Sequence, residues 1–341
     1  MTSDGLAVQP DASAAPRGRR GRRAVDVPTL VERAREGDAR AVARLISLVE
    51  DASPALREVA AALAPHTGGA QVIGLTGSPG VGKSTSTTAL VRALRQAGKR
   101  VGVLAVDPSS PFSGGALLGD RVRMQDHAGD SGVFIRSMAS RGHLGGLSWA
   151  TPQALRVLDA AGCDVVLIET VGVGQSELEI ASLADTTLVL VAPGMGDGIQ
   201  AAKAGILEVA DVFVVNKADR DGADQTVRDL RYMQSLGGRH SEAGNWRPPI
   251  CRTVASRDAD SGVDTVLEKI EEHRRWLEST GEGRRRRGER AAREIEAIAL
   301  ATLRKRMGDV RGSAALETLA GQVVDGVTDP YRAADELLSR L

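Results

Sequence analysis

The sequence predicts an α/β fold in which a mainly parallel sheet is covered by helices on both faces. A glycine-rich loop at 77–84 stands between an apolar run at 72–75 and a segment at 88–94 whose apolar residues recur at helical spacing. Further apolar, strand-like runs follow at 101–106, 133–135, 165–168, 188–191 and 212–215. Helical stretches separate most of them, and continuous apolar strands joined by helices are typical of parallel sheets. We therefore expect ligands beyond the carboxyl ends of these strands.

The composition limits the classes of partner that we expect. The 341 residues suffice for one α/β core of about 200 residues with helical additions. Lys and Arg together number 44, as do Asp and Glu, so the net charge gives no reason to expect nucleic acid or an anionic membrane as a partner. Three Trp, two Tyr and three Phe leave little material for base stacking.

Cysteine use and hydropathy indicate the compartment. Cys163 and Cys251 each lie in an apolar, strand-like run and fit buried thiols of a reducing compartment better than a disulfide or a metal site. No apolar run approaches the ~20 residues of a membrane span, and the N-terminus lacks the apolar core of a signal peptide. We expect a soluble, cytoplasmic protein.

The chain divides into four predicted parts. These are a disordered tail at 1–26, an N-terminal helical extension at 27–68, the sheet-containing domain at 69–280 and a C-terminal helical arm at 281–341. The tail is rich in Ala, Pro, Gly and Arg and cannot bury enough apolar surface to offset its ordering entropy. An Arg-rich organelle transit peptide is the alternative for the tail, although Asp4 and Asp11 count against it.

Helix signals mark the extension. Asp38 is a predicted N-cap for a helix that carries Val42 and Leu45 on one face, and Ser53 followed by Pro54 is a predicted start of another helix. Short amphipathic helices need a packing partner. We expect them to lie on the sheet-containing domain.

The glycine-rich loop has the spacing of a nucleotide phosphate-binding loop, with two glycines five apart followed by Lys and Ser. The loop and its continuation consist of Gly77, Ser78, Pro79, Gly80, Val81, Gly82, Lys83, Ser84 and Thr85. In such a loop the backbone N–H groups turn onto phosphate oxygens at the positive end of the next helix. Lys83 would reach the β and γ phosphates, and the Ser84 hydroxyl would ligate magnesium.

Two carboxylates stand directly after predicted strands at the same edge of the sheet. Asp107 follows the run at 101–106 and Glu169 follows the run at 165–168, so both are candidates to hold magnesium directly or through water. Asp120, in the loop after Asp107, is a third candidate. A turn with a capping Asp is the alternative for Asp107. The Gly172 N–H could sense the γ-phosphate.

A base-selecting motif follows the run at 212–215, formed by Asn216, Lys217, Ala218 and Asp219. A carboxylate at Asp219 can accept both the N1–H and the 2-amino hydrogens of guanine, whereas adenine offers neither pattern. With a phosphate-binding loop before it and a strand directly before it, the motif predicts GTP and GDP as ligands. Ala255 and Ser256 are further candidates to contact the base. Guanine-binding domains usually have the order Ser-Ala, so the identity of the N–H donor stays open.

The sequence contains no obvious residue to position the attacking water. Hydrolytic GTPases often have a Gln directly after the γ-phosphate-sensing glycine, but Val173 occupies that position and Gln175 comes two residues later. We therefore expect slow intrinsic hydrolysis unless a partner supplies or reorients such a residue.

The C-terminal arm carries no catalytic cluster. The segment 281–288 at its start holds the consecutive arginines 284–287, and this charge run favours a solvated linker over a binding patch. A long helical pattern then places Ala292, Ile295, Ala299 and Leu303 on one side, and two shorter helical patterns end the chain. The apolar stripe needs a partner, either the core of the same chain or a second subunit.

From about residue 28 to residue 330 the sequence closely resembles the methylmalonyl-CoA mutase-associated GTPases, the MeaB/ArgK-like G-protein chaperones. The motifs that carry the resemblance are GLTGSPGVGKST at 74–85, VDPSSP at 106–111, IRSMASRGHLGG at 135–146 and ETVGVGQSE at 169–177. The resemblance implies a P-loop GTPase sheet of the nickel-chaperone and signal-recognition GTPase class. It also implies a homodimer assembled through the C-terminal helices.

The resemblance further implies a partner, an adenosylcobalamin-dependent acyl-CoA mutase whose cofactor loading and protection are gated by GTP binding and hydrolysis. Asp197, Gln200 and Lys203 match positions that couple the nucleotide state to the mutase in this family. From the residues alone, Lys203 also fits a solvated helix position.

Two other functions stay open. The first is a kinase or transport-associated ATPase that passes the γ-phosphoryl group to another protein. The second is a metallochaperone GTPase, although His143 has no Cys or second His at ligand spacing.

Overall fold

The computed structural model describes residues 26–51, 53–108, 127, 129–140, 150–170, 176–194, 206–236, 244–307 and 313–339. These residues build a seven-stranded sheet in which every pairing is parallel. The strands are β1 (Gln71–Thr76), β2 (Val101–Pro108), β3 (Val133–Ser140), β4 (Val165–Thr170), β5 (Thr186–Val191), β6 (Val212–Asn216) and β7 (Ile250–Thr253). Their spatial order is β3-β2-β4-β1-β5-β6-β7, which confirms the predicted parallel α/β sheet.

Of the two helix starts predicted for the N-terminal extension, one is confirmed and the other is displaced. The helices are α1 (Val27–Arg35), α2 (Ala39–Glu50), α3 (Leu56–Leu63), α4 (Lys83–Gln96), α5 (Thr151–Ala160), α6 (Ser176–Leu183), α7 (Ile206–Val209), α8 (Ala223–Leu236), α9 (Val263–Thr280), α10 (Glu282–Met307), α11 (Ala314–Val324) and α12 (Pro330–Ser339). Asp38 caps α2 as predicted, because its carboxylate accepts hydrogens from the backbone N–H groups of Arg40 and Ala41. The start expected at Ser53 is displaced, since the Ser53 hydroxyl accepts the Ala55 N–H in a turn before α3.

The N-terminal helices pack on one face of the sheet, as expected. Leu45 and Ile46 of α2 and Leu158 of α5 are fully buried in one cluster with Leu104 and Val166 of the sheet. Side chains alternate along a strand, so the neighbouring residues point to the opposite face. Burial of these side chains removes them from water and holds α1, α2 and α3 on the domain.

The opposite face of the sheet is covered by α4 and α9. Leu90 of α4 and Ile270 of α9 are buried in a second cluster with Val103 and Leu167. The helix α4 runs directly from the glycine-rich loop, so this packing fixes the position of the loop. Cys163 and Cys251 are buried free thiols, as predicted, and burial raises the pKa of each to about 11.

The interpretation of arginines 284–287 as a solvated linker was wrong. They lie in the first two turns of α10, where Arg285 pairs with Glu282 and Glu289 along the helix. Arg286 reaches Asp211 and Arg287 reaches Asp185, two acids that directly precede β6 and β5. Arg286 and Arg287 therefore attach α10 to the amino edge of the sheet, because each pairs with a carboxylate that lies there.

Asp26, the last residue of the expected tail, caps α1 by accepting the Thr29 N–H at 3.2 Å; the rest of that tail, 1–25, lies outside the described residues. Among the helices in the described part of the chain, none combines the length and apolarity that crossing a membrane requires.

Candidate functional site

The register of the sheet brings the predicted site residues to one edge. Leu75 of β1 and Ala105 of β2 both lie opposite Glu169 of β4, the strand between them. Asp107 lies two residues beyond Ala105 on the same strand, so its backbone is at the edge that Glu169 and the start of the glycine-rich loop share. The side chain of Asp107 is outside the described part of the structure.

The loop requires glycine at the positions where it touches other parts of the site. Gly77 and Gly82 have φ angles of 142° and 96°, a backbone region that other residues rarely adopt. A Cβ atom at Gly77 would collide with the carbonyl oxygen of Leu190, and one at Gly82 would collide with Nδ2 of Asn216. The loop is therefore packed closely against β5 on one side and against the base-selecting motif on the other.

The Lys83 side chain folds back against the glycine-rich loop. Its Nζ donates to the carbonyl oxygens of Gly77 at 2.6 Å and Ser78 at 3.2 Å, and the residue is buried. This position places the ammonium group inside the curve of the loop, at the first residue of α4. Backbone N–H groups at such a helix start favour an anion.

Glu169 is held by two hydroxyl groups of α4. It is 3% exposed, and its Oε1 accepts a hydrogen bond from Ser84 Oγ at 2.6 Å. Its Oε2 accepts one from Thr87 Oγ1 at 2.8 Å. The structure thus brings together Ser84 and Glu169, which the sequence predicts in one magnesium site, but they are 85 residues apart in the chain.

Sequence reasoning missed Thr87. The signal was present, since Thr87 lies three residues after Ser84 and so on the same side of α4. It is fully buried although polar.

Asn216 joins the base-selecting motif to the phosphate-binding loop. Its Nδ2 donates to the Val81 carbonyl oxygen at 2.8 Å, and its Oδ1 accepts from Thr253 Oγ1 at 3.1 Å and from the Ala255 N–H at 3.2 Å. Lys217 adds a second link, because its Nζ donates to the Gly80 carbonyl oxygen at 2.6 Å. Lys217 has a φ of 56°, in the left-handed region, so the backbone turns sharply at this residue.

The remaining base-site candidates differ in exposure. Asp219 is accessible, with 41% of its side chain exposed and one carboxylate oxygen 3.7 Å from a guanidinium nitrogen of Arg257. Ser256 is exposed, whereas Ala255 is buried and gives its N–H to Asn216. Ala255 thus positions Asn216 in this conformation.

Several predicted site residues lie outside the described part of the chain. They are Asp120, Gly172, Asp197, Gln200 and Lys203. The second half of the motif at 135–146 lies there too, since the structure describes only its strand residues up to Ser140. The roles expected for these residues stay predictions.

Comparison with known proteins decides the family. The family model described as methylmalonyl Co-A mutase-associated GTPase MeaB matches residues 42–311. The chain belongs to this family. The match includes the phosphate-binding loop, Glu169 and the segment from Asn216 to Asp219, so the geometry above is that of a MeaB-family GTPase.

Relatives of this MeaB-family chain carry GTPase names. A GTPase of Pyrococcus abyssi is 46% identical over 315 residues, covering 92% of this chain and 97% of its own length. The GTPase ArgK of Escherichia coli is 37% identical over 258 residues, covering 74% of this chain and 77% of its own. A crystal structure named LAO/AO transport system kinase matches with a TM-score of 0.68 and 27% identity, over 92% of this chain and 96% of its own. The protein is a GTPase with the P-loop fold.

Proposed function

We propose that this GTPase is a GTP-gated chaperone of an adenosylcobalamin-dependent acyl-CoA mutase, with methylmalonyl-CoA mutase as its partner. The observation that carries the proposal is the match to the mutase-associated family over residues 42–311. In this role, GTP binding and hydrolysis would gate the loading and protection of the cobalamin cofactor of the mutase. The nucleotide, and not the chain alone, would then determine when the mutase is engaged.

The phosphate side of the site fits a magnesium–nucleotide complex. Oxygen donors are the ligands that Mg²⁺ prefers, and Ser84 and Glu169 supply a hydroxyl and a carboxylate in contact with each other. We assign magnesium binding to these two residues together with Asp107 and Asp120. Bound magnesium neutralises charge on the β and γ phosphates. Lys83 adds a positive charge beside the loop that would hold them.

Guanine selection is assigned to Asp219, with Asn216 and Lys217 as its support. The buried contacts of Asn216 fix the segment relative to the phosphate-binding loop, so the distance between the base site and the phosphate site is set by the protein. Asp219 is accessible at the end of this segment and would accept the two guanine hydrogens. Ser256, with Ala255 before it, borders the same site.

The switch function is assigned to segments on either side of this edge. Gly172 would sense the γ-phosphate, and Val173 after it leaves the attacking water without an obvious positioning group. We propose that intrinsic hydrolysis is slow and that the mutase accelerates it, with Asp197, Gln200 and Lys203 as coupling residues.

Self-association is the second part of the proposal. The predicted apolar stripe of α10 is exposed in the single chain, where Ile295 is 68% exposed and Leu303 is 53% exposed. Exposed apolar stripes of this kind are typical of protein interfaces. We propose a homodimer assembled through this helix.

The test is GTP hydrolysis by the purified chain with and without its cognate methylmalonyl-CoA mutase. We expect at least about tenfold stimulation, a small part of what a supplied catalytic group can give. A cobalamin-independent acyl-CoA enzyme is the control partner. Equal rates with both partners would contradict the chaperone function while leaving GTPase activity in place.

The name of the solved relative raises a second function, transfer of the γ-phosphoryl group to another protein. GTP radiolabelled in its γ-phosphate distinguishes hydrolysis from phosphoryl transfer to a protein. Label released as free phosphate supports hydrolysis, and label retained on a protein supports a kinase.

A further inference from the structure

Thr87 contacts Glu169, one of the residues assigned to the proposed magnesium site. Thr87 is fully buried on α4, and its Oγ1 is 2.8 Å from Glu169 Oε2. Ser84, one turn earlier on the same helix, meets the other carboxylate oxygen at 2.6 Å. One helix therefore supplies a hydroxyl to each oxygen of the same buried carboxylate.

Hydrogen-bond accounting indicates where the Thr87 proton points. A hydroxyl has one hydrogen to donate, and Thr87 Oγ1 has two acceptors in reach, Glu169 Oε2 at 2.8 Å and the Lys83 carbonyl oxygen at 3.1 Å. A carboxylate is the stronger acceptor, and it is also the nearer one here. The hydrogen therefore goes to Glu169.

Two anchored oxygens leave the carboxylate little freedom to rotate. Rotation about the last side-chain bond of glutamate is a broad torsion, and each hydroxyl contact restricts it. With Thr87 holding the second oxygen, the plane of the carboxylate is fixed relative to α4. Partners of this kind orient ligands before a metal arrives, and their loss typically costs 10–100-fold in metal affinity or activity.

We propose that Thr87 is a positioning residue for GTP hydrolysis, which fixes the Glu169 carboxylate so that Ser84 and Glu169 present their oxygens to magnesium together. Thr87 itself touches neither nucleotide nor metal in this role; it acts through Glu169. The inference rests on the proposed assignment of Ser84 and Glu169 to the magnesium site.

The neighbouring threonine provides a matched control. Thr88 lies on the same helix and donates its hydroxyl to the Ser84 carbonyl oxygen at 3.0 Å. The Thr87 hydroxyl oxygen lies at a similar distance, 3.1 Å, from the Lys83 carbonyl oxygen, although its hydrogen goes to Glu169. Both hydroxyl groups therefore lie beside the backbone carbonyl of the residue four positions earlier. Of these two threonines, only Thr87 is bonded to Glu169.

The experiment compares three variants of the full chain. Thr87→Val removes the hydroxyl and keeps the shape, Thr87→Ser keeps the hydroxyl, and Thr88→Val removes the control hydroxyl. The measurements are the magnesium concentration that gives half-maximal GTP hydrolysis, kcat and KM for GTP, and calorimetric affinity for GDP with magnesium and with EDTA.

We expect Thr87→Val to raise the half-maximal magnesium concentration about 10–100-fold and to lower kcat, with KM for GTP changed less. The gain in GDP affinity that magnesium gives should shrink by a similar factor, while GDP affinity in EDTA stays within about twofold. Thr87→Ser should restore magnesium dependence to within about threefold, and Thr88→Val should resemble the wild type. Because the calorimetry needs no turnover, it measures the effect of magnesium on nucleotide affinity independently of catalysis.

Other outcomes would overturn the inference. Equal magnesium requirements in Thr87→Val and Thr88→Val would remove the special role of Thr87, and a Thr87→Ser variant as impaired as Thr87→Val would indicate packing alone. If Thr87→Val fails to fold, Thr87→Ala replaces it, and failure of both would show that the hydroxyl serves the fold.

Glu169→Gln separates this inference from the assignment on which it rests. If Glu169→Gln raises the magnesium requirement but Thr87→Val does not, only the role of Thr87 is wrong. If Glu169→Gln leaves the requirement unchanged, the assignment of Glu169 is wrong and the inference is overturned with it. A mutase that fails to stimulate hydrolysis bears on neither result.

Discussion

Asn216 is the residue through which the two ends of the nucleotide site contact each other. Its amide is buried and is bonded to Val81 of the phosphate-binding loop, to Thr253 and to Ala255. An amide has both donor and acceptor atoms, so one side chain can bond to the loop and to the turn after β7 at once. The base site and the phosphate site therefore move together.

A pair of glycines in the loop tests this link. Gly80 and Gly82 have φ angles of 80° and 96°, so alanine at either costs about 1–2 kcal/mol of backbone strain. A Cβ at Gly80 meets no atom within 4 Å, whereas one at Gly82 collides with Asn216 Nδ2. We expect Gly82→Ala to bind GDP at least about tenfold more weakly than Gly80→Ala does, because it also breaks the Asn216–Val81 bond, worth about 1.5 kcal/mol.

Calorimetric titration with GDP and magnesium measures that difference, and thermal unfolding of both variants checks the shared strain. Equal affinities in the two alanine variants would show that Asn216 contributes nothing to the shape of the loop.

At the scale of elements, α6 and α10 are joined at the amino edge of the sheet. Arg290 of α10 donates to the carbonyl oxygens of Leu183 and Ala184, the last residues of α6 and its continuation, at 2.8 and 2.7 Å. It also pairs with Asp185 at 2.6 Å, and Asp185 accepts the Val72 N–H at the start of β1. Arg290 of α10 therefore caps the carboxyl end of α6, the helix that follows the Glu169 segment.

Charge and burial work against each other at Asp185. Burial raises the pKa of this carboxyl, but Arg290, Arg287 and the Val72 N–H together bring the pKa below its ordinary value of 3.8. A carboxylate with a lowered folded-state pKa contributes stability above pH ~4, and the contribution is lost as the pH falls through the folded-state pKa.

We therefore predict that Arg290→Ala lowers the free energy of unfolding by about 2–4 kcal/mol at pH 7, because it leaves the buried Asp185 with weaker compensation. The difference from the wild type should narrow as the pH is lowered below ~4, where Asp185 becomes protonated. Urea unfolding at pH 7 and at low pH measures both values. Arg293→Ala is the control, since Arg293 is exposed and donates to the Glu289 carbonyl oxygen of its own helix. An equal loss in the two variants would contradict the capping role.

The elements that local patterns encode could be predicted, and those that depend on distant partners could not. Apolar runs and the glycine spacing gave β1, the loop and the start of α4, because each signal lies within a few residues. The arginines of α10 have the same appearance as a solvated charge run until Asp185 and Asp211 are brought beside them by the sheet. Thr87 likewise needs Glu169, 82 residues away, before its hydroxyl has a role.

At the scale of the whole molecule, the C-terminal helices leave apolar side chains exposed. Beyond the α10 stripe, Val324, Val327, Tyr331 and Leu338 are more than half exposed. Scattered exposed apolar residues are ordinary, but a row along one helix carries a cost in water that a partner can remove. The stripe was predicted from spacing alone, whereas its exposure depends on which face of α10 is turned to the domain by Arg286, Arg287 and Arg290.

The proposed homodimer follows from this stripe and can be tested on it. Ile295 and Leu303 are exposed, so the double variant Ile295→Glu and Leu303→Glu should not disturb the fold of a single chain. Burial of each side chain in an interface contributes about 1.5–3 kcal/mol, so charging both should weaken a dimer at least about 100-fold. We expect the wild type to sediment as a dimer at micromolar concentration and the variant as a monomer whose far-ultraviolet circular dichroism matches that of the wild type.

Tyr232→Glu is the matched control for that measurement, because Tyr232 is also exposed, at 65%, but lies on α8 of the sheet domain. It should sediment like the wild type, since α8 is remote in sequence from the arm and its charge would not enter an α10 interface. A wild-type monomer would remove the dimer from the proposal. A dimer that persists in the double variant would instead place the interface on another surface. The helices α11 and α12, which carry the exposed Val324, Tyr331 and Leu338, would then be the next to charge.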